Sequence, residues 1–169
     1  MCAVFQLGDR VVYGIHGVCC IVDTEIRSIN RKKVEYFVLE PREQPGARYY
    51  IPTQNPAALS KIQPLLSREQ LDALLNSDEV RKDIWVSDEN HRKQHYRELI
   101  NSGDRAALIS MVRSLHQHKE AQAAAGRKFH LCDENFLRDA EKLLTAEFAL
   151  ILDVDYAQAA AYIKEALEE

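Results

Sequence analysis

The sequence predicts an α+β protein in two domains, a small SH3- or Tudor-like β-barrel followed by an all-α helical bundle. Residues 5–53 are rich in β-branched and aromatic residues punctuated by Gly and Pro, the signature of short strands joined by turns. Beyond residue 67 the pattern changes to helix caps and apolar residues at i, i+3, i+4 spacing. Charge changes as well: residues 1–66 carry a net +2, residues 67–130 a net +1 and residues 131–169 a net −7. A chain of 169 residues has room for two small domains of this kind, residues 1–66 and 67–169.

The β half opens with FQLGDRVVYGIHGVCCIV, residues 5–22, in which Gly8-Asp9 and the Gly14–Gly17 stretch bracket a strand over Arg10–Tyr13. Val18–Ile26 and Val34–Glu40 follow as strands, joined by the polar connection RSINRKK. Pro45-Gly46 turns the chain into a short strand ending at Pro52. Four or five such strands in about 55 residues suit a small barrel.

NPAALSK reads as one helical turn, and Ser67 with Gln70 forms a capping box ahead of Leu71, Leu74 and Leu75. The polar run NSDEVRKD reads as a link. Ser87 is the expected cap of a helix ending at Ser102-Gly103, and Asp104 caps the next, with Leu108, Ile109, Met111, Val112 and Leu115 on its inner side. Gly126 ends it. A third helix from about Asp133 carries the stripe Phe136, Ala140, Leu143, Leu144, Phe148, Ile151. Asp155 with Gln158 caps a last helix bearing Ala159, Tyr162, Ile163 and Leu167.

Several function classes are disfavoured. No run approaches the ~18 apolar residues of a membrane span, and the N-terminus lacks a basic region followed by a long apolar core, so a cytoplasmic protein is expected. Cys2, Cys19, Cys20 and Cys132 form neither a disulfide framework nor a zinc pattern. His116 and His118 are two apart on a predicted helix and do not share a face; His91 and His95 do, without a Glu placed as in H-E-x-x-H. No metal site, cofactor or small-molecule substrate is expected. With no phosphate-binding Gly-rich loop, no G-x-S-x-G and no nucleophile beside an evident base, an enzyme is not expected either. Glu141 and Glu147, among leucines on the third helix, read as paired or capped carboxylates.

Three stretches, GDRVVYGIHGV, VEYFVLEP and YYIPTQNPAAL, together resemble the N-terminal module of the CarD/CdnL family of bacterial transcription regulators, a module shared with the transcription-repair coupling factor. ELINSGDRAALISMVRSLHQHK and RDAEKLLTAEFALIL resemble the family's helical half. The resemblance implies a Tudor-like barrel that docks on the β subunit of RNA polymerase and a helical domain that reaches upstream DNA at the edge of the transcription bubble, where a tryptophan wedges into the minor groove and stabilises the open promoter complex. Through EYFVL and YYIP, the polymerase-facing positions fall on Arg27 and Tyr50; Tyr50 stands where the family often has an arginine. Gly14 and Cys19 replace a frequent proline and glycine.

Trp85, the single tryptophan, precedes a predicted helix carrying Arg92, Lys93 and Arg97. An aromatic wedge flanked by phosphate clamps fits that arrangement, although seven positions separate Trp85 from Arg92, where the family keeps them nearly adjacent. The alternative is a tryptophan that locks the link onto the bundle and a solvated basic face. A net charge of −4 is too low for strong binding to free DNA, so promoter DNA is expected to be bound weakly unless polymerase carries the protein there. The rival reading is a protein-interaction adaptor on polymerase or another partner, without DNA contact.

Overall fold

The computed structural model describes residues 5–168, so Cys2 lies outside the described residues. The chain divides between Leu65 and Leu66 into two compact units.

The first unit is a five-stranded antiparallel sheet: β1 (Arg10–Tyr13), β2 (Val18–Ile29), β3 (Lys32–Pro41), β4 (Tyr49–Pro52) and β5 (Ile62–Pro64), in the order β4-β3-β2-β1-β5. A meander whose last strand returns beside the first leaves β4 and β5 as the edges. Each strand sends at least one residue into a common core of Val11, Cys19, Ile21, Leu39, Ile51 and Ile62. Burial, with the adjacent Cys20 thiol adding to it, raises the Cys19 thiol pKa to about 11, so it behaves as a small apolar side chain.

Two local features depart from expectation. RSINRKK is not a loop: β2 and β3 run on through it, and the turn contracts to Asn30-Arg31, both at positive φ (50° and 66°). Those angles match a two-residue type I′ hairpin, whose twist suits the flanking strands and which Asn tolerates well. A bulge between Ile21 and Asp23 resets the β2–β3 register, so the outer half of the hairpin faces solvent, with Ile26 66% exposed. Helix α1 (Pro56–Leu59) is the expected single turn, capped by the Asn55 side chain, which accepts the Ala58 N–H at 3.2 Å.

The second unit is helical: α2 (Arg68–Leu75), α3 (Glu89–Ser102), α4 (Arg105–Ala124), α5 (Leu131–Leu152) and α6 (Tyr156–Glu168). The Ser67/Gln70 capping box is formed in both directions, as is the Asp155/Gln158 pair. Asp88, not Ser87, caps α3, its carboxylate taking the His91 N–H at 2.9 Å; of the two adjacent candidates, the stronger acceptor at a helix N-terminus prevails. Helix α5 begins at Leu131, ahead of Asp133, which lies inside the first turn and is fully buried. Buried side chains of α2 through α6 join one core that includes Leu71, Tyr96, Ile109, Met111, Leu144 and Phe148.

The run NSDEVRKD is not a free link. Asp78–Arg81 forms a 3-10 turn that buries Val80, and the segment is fastened to α4 by polar contacts. Ser110 Oγ donates to Glu79 O (2.7 Å), Arg113 Nη1 donates to Arg81 O (2.6 Å), and Ser114 Oγ accepts the Ile84 N–H (3.0 Å). Buried serines on α4 satisfy backbone groups that have no helix or ladder of their own. Two longer ties brace the bundle: Arg105 pairs with Glu147 at 2.7 Å, and Tyr162 Oη donates to Asp72 at 2.9 Å. Glu141 pairs with His116.

Candidate functional site

On the sheet unit, Arg27 and Tyr50 meet. Arg27 on β2 lies opposite Val34, and Tyr50 on β4 lies opposite Val38. Paired residues of an antiparallel ladder share a face, and Val34, Tyr36 and Val38 alternate onto one side of β3, so Arg27 and Tyr50 project to the same side. The Arg27 guanidinium lies 4.0 Å from the centre of the Tyr50 ring. Glu25 holds the same guanidinium at 3.1 Å, and Tyr36 approaches Tyr50 edge-on at 6.5 Å. The arginine side chain remains 50% exposed. The result is a half-exposed aromatic and cationic patch beside β4, an edge strand with main-chain groups open to pairing.

On the helical unit, Trp85 is half-buried and packs against the core. Its backbone N–H is held by Asp83 at 3.0 Å. The His118 ring stacks on its indole at 3.5 Å and 16°, and the Arg92 guanidinium lies 4.2 Å from the same centre. Two groups this near one ring centre cannot share a side, so they cover both faces. Phe129 lies 6.4 Å from His118, extending the aromatic row.

Arg92 therefore corrects the sequence reading. It is 3% exposed, and its guanidinium is fully engaged: Nε and Nη2 each donate to Asp133 at 2.9 Å, and Nη1 donates to Val86 O and Ser87 O. A group spent in this way positions Trp85 and the 86–87 backbone and leaves nothing for a phosphate. Helical geometry explains it, because each residue turns by about 100°. Arg92 shares the inner face with Tyr96, whereas Lys93 and Arg97, one turn apart, share another. Lys93 is held by Glu89 at 2.7 Å; Arg97 is exposed and has no ion-pair partner among the described residues. His118, Asp133 and Phe129 escaped the sequence reading. Asp133 is 41 residues from Arg92, and no periodic pattern links positions on different helices.

The chain's one tryptophan makes this stack measurable. Burial lowers the His118 pKa from 6.5, with Asp133 opposing and Arg92 assisting. A protonated imidazole against an indole quenches its emission by accepting an electron from the excited ring. Trp85 fluorescence should fall on acidification with a midpoint below 6.5, and His118→Gln should abolish the transition. A midpoint at or above 6.5 contradicts the packing described.

Family comparison places both units. Residues 5–63 match the model of the CarD-like/TRCF RID domain, and residues 71–164 match that of the CarD C-terminal domain. The chain belongs to the CarD family. The CarD-like chain is thus a transcription-associated regulator that interacts with RNA polymerase, from a family of non-catalytic polymerase-binding proteins. The polymerase-interacting match covers the sheet unit with its Arg27–Tyr50 patch, and the second match covers α3 to α5 with the Trp85 stack. Among the described residues no helix is long and apolar enough to cross a membrane.

Proposed function

We propose that residues 1–66 dock on the β subunit of RNA polymerase through the β4 edge and the Arg27–Tyr50 patch. Residues 67–169 then contact upstream promoter DNA at the bubble edge and stabilise the open complex. The observation that carries the reading is the convergence of Arg27 and Tyr50 beside an open strand edge. An edge strand supplies main-chain hydrogen bonds to an added strand, and neighbouring side chains supply selectivity. Tyrosine and arginine are also the residue types that most often dominate binding energy at interfaces. On the DNA side, the uncovered edge of Trp85 is the wedge, Lys93 and Arg97 face the backbone, and Arg92 holds Trp85 in place.

A second reading, an adaptor without DNA contact, is favoured by one observation: both faces of Trp85 are occupied and Lys93 is already paired. Open-complex lifetime with Trp85→Ala separates the two, since a shortened lifetime with polymerase binding intact supports the wedge and an unchanged one supports the adaptor.

Docking has its own test. The full-length double variant Arg27→Glu, Tyr50→Ala should bind core polymerase about thirtyfold more weakly, as for loss of one hot-spot contact of ~2 kcal/mol. Both side chains are at the surface, so circular dichroism should be unchanged. Retention equal to the unmodified protein removes the patch from the interface.

A further inference from the structure

We propose that the loop between α4 and α5, through Arg127 and Lys128, supplies the phosphate contacts that hold duplex DNA beside Trp85. The inference rests on the DNA-contacting reading above and assigns the cations that reading needs once Arg92 is removed from it.

The loop is fixed in place and built next to Trp85. Gly126, at φ 69°, lets the Arg127 N–H reach Gln122 O (2.8 Å) and the Gly126 N–H reach Ala123 O (3.1 Å). That bond pair is a Schellman cap, and it sets the direction in which the chain leaves α4. Phe129 then anchors the loop against the helical core, within about 10 Å of Trp85 by way of the His118 ring. Arg127, Lys128 and His130 around it are exposed. A minor groove about 6 Å wide, entered by the edge of Trp85, would bring a flanking phosphate strand over this loop.

Charge bookkeeping separates this loop from the rest of an acidic unit. Three of the carboxylates around the start of α5 are already neutralised: Asp133 by Arg92, Glu134 by Lys119 at 3.4 Å, and Glu89, beside Cys132, by Lys93; Glu120 on α4, seven residues before Arg127, has no ion-pair partner among the described residues. Asp83, on the neighbouring segment, accepts the Trp85 N–H. Arg127 and Lys128 have no ion-pair partner among the described residues, so their two charges remain available to phosphate. The Schellman cap fixes the backbone that carries the two cations, so the ordering cost on binding falls on their side chains alone.

The test measures affinity of the full-length protein for a polymerase–promoter complex as a function of salt. Arg127→Gln with Lys128→Gln should weaken binding about tenfold and flatten the log K versus log salt slope by about 2, one unit per lost phosphate contact. A control of equal charge loss, Lys142→Gln with Lys164→Gln, should leave the slope unchanged, and neither pair should alter binding to polymerase without DNA. If the loop variant keeps the parent slope while Trp85→Ala shortens the open complex, the loop assignment is overturned and the DNA reading stands. If the parent slope is the same with and without promoter DNA, the DNA reading falls and takes the loop with it.

Discussion

Arg92→Ala is expected to destabilise the helical unit by about 3–5 kcal/mol, the range for breaking a buried ion pair from one side. Total stabilities of domains this size are about 5–15 kcal/mol, so much of the unit would unfold under mild denaturant. The cost has three sources. The fully buried Asp133 carboxylate is left as an uncompensated charge, the Val86 and Ser87 carbonyls lose their donor, and one face of Trp85 loses its cover. Replacing both partners, Arg92→Met with Asp133→Leu, should recover only part of the loss, because the two carbonyls stay without a donor at about 1–3 kcal/mol each if buried. The adjacent Lys93→Ala supplies the contrast. Its solvent-facing i,i+4 pair with Glu89 is screened by water and salt, so its loss should leave the unfolding midpoint close to the parent's. Urea unfolding followed by circular dichroism at 222 nm reads both variants. Equal midpoints for Arg92→Ala and the parent would mean that the pair is not buried in solution.

The contrast between Arg92 and Lys93 shows how far the sequence could be read. Signals that depend on neighbours along the chain were legible: the capping boxes at Ser67 and Asp155, the Asp104 cap with its Ala107 N–H, and the left-handed stop at Gly103. Each is a contact over three or four residues, within reach of a spacing argument. Arg27 and Tyr50 were placed by resemblance, and the register of three strands then shows them in contact, which a single strand's pattern could not. Arg92 was misjudged because its partner lies on another helix. A basic residue between His91 and Lys93 looks like a surface charge until Asp133 arrives from α5. NSDEVRKD failed for the same reason. Its polarity is real, but Ser110 and Ser114 on α4 consume its backbone groups.

On the proposed DNA-contacting reading, the largest effect expected in function is the gain from carrying a weak DNA-binding surface on a polymerase-bound partner. Residues 67–169 have a net charge of −6, so contact between this unit and free duplex is opposed by long-range repulsion and assisted only by local cations such as Arg97. Covalent linkage to a docked sheet unit replaces a bimolecular encounter with an intramolecular one at an effective concentration of order millimolar. Full-length protein should therefore occupy upstream DNA in a polymerase–promoter complex at concentrations about 10²–10⁴-fold below those needed on naked duplex at the same salt. The double variant Arg27→Glu, Tyr50→Ala should reduce that gain about thirtyfold, in step with its weaker docking, while leaving the feeble affinity for naked duplex unchanged, since neither residue lies in the helical unit. Footprinting upstream DNA with and without polymerase measures both limits. Tight binding to naked duplex near physiological salt, or a footprint that survives the double variant at the parent's concentration, would mean that the helical unit grips DNA on its own strength. The acidic charge of α5 and α6 would then have to be masked by some contact that the linkage argument does not contain.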